Sequence, residues 1–438
     1  MKIPKFIREN VLLKMTSLNA PVIVTRLAIS LYINRMVSIY FGEVGFNIIS
    51  QLRDLIQILT SVTSLGIFNG IVKYVSEFKT DEAGRQRLFS TAFTFFLIAS
   101  GLSFLFLFFG ANAVSNYLFQ TNEYAWVIRV VSIVAPCIGM QRIFNGVVNG
   151  LSQYKKFVKI DLISYLIGAG LTIYFVFQGQ LSYVLFSIAI IPIFQLVVLI
   201  YIFKAELKKY IPFRKLKVVS PMAKALLAFS LMSFFSTVIL SSLNIEIRNM
   251  ITRSMSETQA GLWSAMLSLS KQYMSFSIII FSMYVIPKFA TIHNRKDFTR
   301  ELKSIYKMLL PIFGVGMILV YLLRDFIMDL VFPGLDHKAL EPLFKWQLIG
   351  DFIRLIAMVL AYQFITKKLV RTFIFTELLS LGLFYGFSYY LKDYFGIEGI
   401  TIAHLLRYVI YLFVVIFLAF RYFDRNKEDV DQAPQTAV

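Results

Sequence analysis

Long apolar stretches, broken by short clusters of charge or turn residues, recur from one end of the chain to the other. They fall at about 11–40, 44–76, 87–110, 125–150, 157–177, 181–204, 223–250, 259–287, 304–323, 343–366, 372–391 and 397–420. Each reaches the about 20 residues that a helix needs to cross a bilayer. The pattern predicts an all-α polytopic membrane protein with about twelve transmembrane helices. Polar positions inside the stretches recur with helical period. The first stretch places Arg26, Ser30 and Asn34 near one face, with Arg35 pointing away from it. The second carries Arg53, Gln57, Thr60 and Ser64, and the seventh Ser230, Thr237, Ser241, Asn244 and Arg248. The eighth carries Ser264, Ser268, Lys271 and Ser275, the tenth Gln347, Asp351 and Arg354, and the twelfth His404, Arg407 and Tyr411.

Composition agrees with a membrane solvent. Of 438 residues 58% are hydrophobic, and the mean hydropathy is +0.69. Charged residues make up 16%, against roughly 25% in an ordinary soluble domain. This leaves no room for a sizeable soluble domain. The single cysteine, Cys137, lies in an apolar stretch, and His293, His337 and His404 are far apart. A disulfide framework and a metal site are therefore not expected. The basic N-terminus precedes an apolar run, as in a leader peptide. The run continues past Arg26 without a clean small-residue cleavage site, so it reads as the first membrane helix.

The net charge of +19 comes from 44 Lys and Arg against 25 Asp and Glu. In a soluble chain such an excess would suggest nucleic acid. Here most of it falls on alternate loops, as the positive-inside rule requires, and no nucleic-acid partner is expected. With the N-terminus cytoplasmic, the outer segments carry only Arg253, Arg324, Lys338, Lys345 and Lys392. The midpoint loop alone carries Lys208, Lys209, Arg214, Lys215 and Lys217. Both termini are then cytoplasmic. The loop divides the chain into an N-terminal lobe at 1–205, a linker at 206–222, a C-terminal lobe at 223–420 and a disordered tail at 421–438. Asn34-Arg35-Met36, Gly45 and Lys73 in the first half are echoed by Arg248-Asn249-Met250, Gly261 and Lys288 in the second. Such internal repeats are common in transporters.

A charge at the bilayer centre costs roughly 2.5–3.5 kcal/mol on insertion scales, so each needs a partner, a cavity or an interface. Ser and Thr stripes alone are explained by helix packing. Arg26, Arg53, Lys271, Arg354 and Arg407 sit near mid-span and are not. Arg35 and Arg248 lie closer to the outer surface, where snorkelling competes with a binding role, and Arg142 leads an Asn145, Asn149 stripe. These eight cations are the candidate substrate-binding residues. The acids are fewer: Asp54, Asp161, Glu246, Asp351 and Glu377. Asp351 stands three residues before Arg354, the spacing of an ion pair. Asp161 and Glu377 lie near inside ends beside lysines. The balance favours an anionic substrate, with arginine forks suited to phosphate oxygens.

Short motifs in joint order point to a family. Gly66-Ile-Phe-Asn-Gly70-Ile-Val-Lys73-Tyr-Val75, Tyr284-Val-Ile-Pro287, Leu323-Arg324-Asp325-Phe326 and Phe344-Lys-Trp346-Gln347-Leu-Ile-Gly350-Asp351 each look like a family segment. The chain resembles, over nearly its whole length, the O-antigen and enterobacterial-common-antigen flippases. These are the Wzx proteins of the multidrug/oligosaccharidyl-lipid/polysaccharide exporter superfamily. The resemblance implies two six-helix lobes around a central cavity, in the bacterial inner membrane. It implies that an undecaprenyl-diphosphate-linked oligosaccharide moves between leaflets in exchange for protons or sodium. It also implies membrane lipids and the polysaccharide polymerase and chain-length machinery as partners, with no cofactor and no catalytic residue. No motif transfers the coupling acid; Asp54, Glu246 and Asp351 are candidates by position.

Three alternatives stay open. A flippase for a peptidoglycan precursor shares the lipid diphosphate. A drug exporter would favour an acidic or aromatic cavity, which this is not. A membrane glycan polymerase or ligase would need a catalytic outer loop, and the longest one, near Arg324 to Glu341, has one His and few carboxylates. Charge reversal at Arg53, Lys271 or Arg354 is expected to abolish polymer display while the protein still reaches the membrane. Normal display by all three variants would contradict a role for these cations.

Overall fold

A computed structural model describes residues 11–431 except His293 and Lys368. Among the described residues every regular element is helical. That is the expected answer to a lipid solvent, in which the backbone must satisfy its own hydrogen bonds. The first unit contains α1 (Val11–Val62), α2 (Phe68–Glu77), α3 (Glu82–Phe109), α4 (Ala111–Phe119), α5 (Ala125–Gly150), α6 (Tyr154–Phe177) and α7 (Leu181–Tyr210). It closes with α8 (Ala223–Ser233) and α9 (Leu240–Ser254), joined by a π-helical stretch at Phe234–Ile239. In the second unit α10 (Glu257–Ile280) runs through a π-helical stretch at Phe281–Val285 into α11 (Ile286–Ala290). Then come α12 (Arg295–Leu322), α13 (Arg324–Val331), α14 (His337–Thr366), α15 (Val370–Phe395) and α16 (Glu398–Asp431).

Eight of these helices (α3, α5, α6, α7, α12, α14, α15 and α16) are long and apolar enough to cross a membrane. The two limbs of α1 and the two π-interrupted helices, α8–α9 and α10–α11, complete the twelve expected from the sequence. These four carry polar stripes along their length, whereas the apolar eight mostly do not. The limbs of α1 meet without a loop at Gly42, whose φ of 55° and ψ of −151° suit a residue without a side chain. A second break follows at Leu65 and Gly66, both with positive φ. It ends the helix and starts amphipathic α2.

Burial explains why α2 holds its place. Its Ile71 and Val75 are buried with Phe89, Val147 and Phe203 from α3, α5 and α7. Gly146 and Gly150 let the backbone of α5 come close. A Cβ on Gly146 would stand 2.8 Å from Ile71 Cγ2, and one on Gly150 2.7 Å from Val75 Cβ.

Among the described residues the two compact units are 15–253 and 254–431, the latter together with 11–14. The boundary between them follows α9, and the segment expected as a linker, 206–222, lies within the first unit. The linker is bound along α3: Gln86 Nε2 donates to Lys215 O (2.8 Å), Lys217 N to Ser90 Oγ (3.2 Å) and Met222 N to Thr91 Oγ1 (3.1 Å). Further along, α9 is tied to α1 by an Arg248–Asp54 ion pair of 2.6 Å. A Gln51 Nε2 to Asn249 Oδ1 bond of 3.0 Å adds to this tie. At the other end, α16 continues to Asp431, through the first part of the segment expected as a disordered tail. Residues 432–438 of that segment lie outside the described residues.

Candidate substrate-binding site

In the first unit, both limbs of α1 pack beside α6 and α7 and leave a cavity of about 380 Å³. Its polar wall is Ser30, Arg53 and Gln57 from α1, Ser164 and Tyr165 from α6, and Gln195 from α7. The helices close tightly behind it, where a Cβ on Gly168 would stand 3.1 Å from Ile191 Cγ1. Arg53 is exposed towards this space. Among the described residues no carboxylate stands within ion-pairing distance of it and no acceptor within hydrogen-bond distance; the neighbouring Asp54, within electrostatic range, is paired with Arg248. Ser164 is 3% exposed, and its Oγ has no partner. An uncompensated cation and an unmet buried hydroxyl thus face one cavity.

Arg26, one stripe position away, is settled differently. It forms an ion pair with Asp161 and stacks 4.7 Å over the Tyr165 ring, while the Tyr165 hydroxyl donates to Arg26 O at 2.9 Å. Asp161 was expected to pair with lysines at the membrane interface; its partner is instead this arginine. Arg248 does not snorkel. Its side chain is 1% exposed and its charge is met by Asp54, itself 7% exposed. Glu246 accepts from the Tyr117 hydroxyl at 2.7 Å. Desolvation and that bond push the Tyr117 phenol up to about 12, so it remains a donor at any physiological pH. Arg142 stacks 3.9 Å over the Phe68 ring, and Arg35 is half-buried.

The second unit gathers a different set around Asp351, which is fully buried. Asp351 Oδ2 accepts from Ser270 Oγ (2.6 Å), Tyr273 OH (2.5 Å) and Gln347 Nε2 (3.0 Å). Its Oδ1 lies 3.0 Å from His404 Nε2 and 3.7 Å from Arg354 Nη1. The expected Asp351–Arg354 pair is therefore the longest contact of the group. Arg407 Nη2 reaches His404 Nδ1 at 3.2 Å and Tyr408 OH at 3.2 Å. Both arginines approach the Tyr408 ring, at 5.8 Å for Arg354 and 4.4 Å for Arg407. Glu377, expected near lysines at the interface, instead accepts from Tyr411 OH at 3.4 Å. Lys271 is exposed on α10. Tyr165, Ser164, Gln195, Ser270, Tyr273 and Tyr408 were missed by sequence reasoning. Only Tyr165 carried a signal, standing four residues after Asp161 on one helical face.

Residues 41–333 match the family described as polysaccharide biosynthesis protein. The chain belongs to that family. Among curated proteins it is similar to the lipid III flippases of Escherichia coli (strain K12) and Shigella flexneri. Each is 27% identical over 389 residues, 88% of this chain and 92% of theirs. Among solved structures, it is similar to an inward-facing multidrug resistance MATE family transporter of the MOP superfamily. That match has a TM-score of 0.73, 14% identity, and covers 94% of this chain and 96% of the other. A lipid II flippase in an inward closed conformation matches with a TM-score of 0.70 and 16% identity, covering 91% and 87%. At these identities the structural matches establish the fold.

The buried pair in the first unit yields a stability prediction. Arg248→Leu leaves Asp54 buried without its cation and should cost about 3–5 kcal/mol. The double variant Asp54→Leu/Arg248→Leu should recover most of that loss. Thermal unfolding of the purified single and double variants checks this; equal destabilisation of the double variant would contradict it.

Proposed function

We propose that this protein is a flippase for an undecaprenyl-diphosphate-linked oligosaccharide, an O-antigen or related surface-polysaccharide repeat unit. In this reading it moves that lipid from the cytoplasmic to the periplasmic leaflet of the bacterial inner membrane by alternating access. The observation that carries the reading is Arg53, an arginine within a membrane span that opens on a polar cavity with no counter-ion. Such a charge is costly in a low-dielectric surrounding, and an anion relieves the cost. Phosphate oxygens match a guanidinium in geometry and charge. Gln57, Gln195, Ser30 and Ser164 supply neutral donors and acceptors suited to sugar hydroxyls and amides. The polyprenyl chain needs no protein site, because the bilayer already solvates it. The lipid III flippases similar to this chain over most of its length support the same substrate class.

The Lys and Arg asymmetry of the loops sets both termini in the cytoplasm. Coupling runs to a proton or sodium gradient through one of the carboxylates Asp54, Glu246 and Asp351, each of which already has a partner: Asp351 is held by His404, Tyr273, Ser270 and Gln347. Asp54 is occupied by Arg248, and Glu246 already accepts from Tyr117. Switching between inward-open and outward-open states requires a ligand that contacts the two states differently. The other candidate cations do not enter on equal terms. Arg26 is neutralised by Asp161 and Arg248 by Asp54, so their contribution is to hold the cavity's walls.

Complementation of strains that each lack one defined flippase tests this function, with the leaflet location of the lipid-linked glycan as readout. The wild-type gene should restore outer-leaflet glycan in a strain lacking an oligosaccharide-lipid flippase. Arg53→Gln should lower that restoration roughly tenfold or more, the effect of losing about 1.5–3 kcal/mol of charged hydrogen bonding. Arg53→Lys should fall between the two, because it keeps the charge but loses the fork. Rescue only of a strain lacking its peptidoglycan-precursor flippase would instead assign the substrate to that pathway. Full activity of Arg53→Gln would contradict the proposed site.

A further inference from the structure

Arg407 on α16 is 5% exposed, and among the described residues no carboxylate comes within ion-pairing distance of it. It is held by neutral groups: His404 Nδ1, Tyr408 OH and the faces of Phe384 and Tyr408, at 4.1 and 4.4 Å. Its Nε is buried and unpartnered, and so is the Nε of Arg354 on α14. Two guanidinium N–H groups in one cluster are therefore unmet, where nearly all buried donors in proteins are satisfied.

The partners of His404 fix its tautomer. A guanidinium only donates, so Nδ1, which faces Arg407 Nη2, carries the lone pair. The proton then sits on Nε2 and points to Asp351 Oδ1. Gln347 Nε2 lies 3.3 Å from the same ring nitrogen and donates to the other oxygen of Asp351. His404 is neutral in this arrangement and bridges Asp351 to Arg407. The charged groups facing it are Asp351 and Arg354 from α14, Arg407 from its own helix, and Glu377 from α15 within electrostatic range of both arginines. Tyr273 from α10 and Tyr408 and Tyr411 from α16 are the remaining titratable groups around it. Two carboxylates and two guanidiniums leave the cluster without net charge.

We propose that Arg354 and Arg407 form an anion site for a phosphate group, and that His404 Nδ1 is a placeholder acceptor that holds Arg407 while the site is empty. This rests on reading the protein as a carrier of a diphosphate-linked lipid, and it adds a phosphate site within the second unit to the Arg53 cavity of the first. A phosphate oxygen offers the guanidinium a full opposite charge and a second acceptor for its fork, which the neutral imidazole does not, so it displaces the imidazole. The Arg354 side chain, 26% exposed beside a fully buried Asp351, is the open edge by which the anion enters. With no standing net charge, the anion binds through unmet N–H groups and leaves again when the cluster re-forms, as a carrier requires. His404 is a positioning residue in this scheme.

The test uses the full chain in lipid nanodiscs with His293→Gln and His337→Gln, which leaves His404 as the only histidine. Nitrogen-15 resonances of its ring are followed while inorganic pyrophosphate or farnesyl diphosphate is added. Nδ1 should begin as an unprotonated, hydrogen-bonded nitrogen and shift saturably as Arg407 leaves it. The shift should persist with Arg53→Gln and vanish with Arg407→Gln. Should Arg407→Gln fail to fold, Arg354→Lys should weaken the pyrophosphate response roughly fivefold or more. A protonated Nδ1 in the empty protein overturns the proposal. So does an unmoved resonance while the same sample still binds radiolabelled farnesyl diphosphate, a result that leaves the carrier reading standing. A pyrophosphate-dependent shift without any binding of farnesyl diphosphate supports the anion site and counts against the carrier.

Discussion

A charge inside a bilayer has to be answered, and how each one is answered organises this protein. Some answers are structural. Asp54 and Arg248 neutralise one another in a nearly inaccessible position and tie α9 to α1. Asp161 does the same for Arg26 and sets it against Tyr165. Other charges are left open. Arg53 faces a polar cavity without a counter-ion, and Arg407 is held by an imidazole, a phenol and two aromatic faces. A buried charge that the chain itself leaves unanswered is one that a ligand can answer, and this separates a binding cation from a structural one. Counting cations cannot make that distinction, since the +19 total is mostly loop charge.

The same separation runs through the helices. The apolar helices supply packing, as α3, α5 and α7 do around the buried edge of α2. Polar stripes run on the two limbs of α1, on α8–α9 and on α10–α11, and shorter ones on α14 and α16. The longer ones are each broken or distorted, by Gly42, by the turn at Leu65 and Gly66, or by a π-helical stretch. π-Helical turns recur at functional sites because they loosen the regular ladder. The irregular backbone thus coincides with the segment that carries Arg53, whereas the cluster around Asp351 draws its charges from the continuous helices α14, α15 and α16.

The twelve spans and the inward stripes were legible because hydropathy and helical period are local properties of sequence. The break at Gly42 was legible for a related reason, since it falls between two apolar stretches; the one at Gly66 lies inside the stretch read at 44–76. Partner identity was not. Arg248 read as a residue near the surface, because depth was counted along one helix. The acid that buries it lies on α1, far away in sequence. Asp351 and Arg354 read as a pair from their spacing and do form one, at 3.7 Å, but the closer partners of the carboxylate, His404, Tyr273, Ser270 and Gln347 from three helices, were not legible. The unit boundary after α9 was hidden for the same reason. A basic loop signals topology but not what the loop lies against, and here it lies along α3.

We propose that the open cations recognise the diphosphate of a lipid-linked glycan. The most direct test is a leaflet assay on purified protein in liposomes, with one glycan offered on two lipids. One lipid carries the diphosphate linkage and the other joins the same glycan to an uncharged polyprenol. The account predicts protein-dependent movement of the diphosphate-linked glycan and little or none of the uncharged one. Equal movement of both would contradict it.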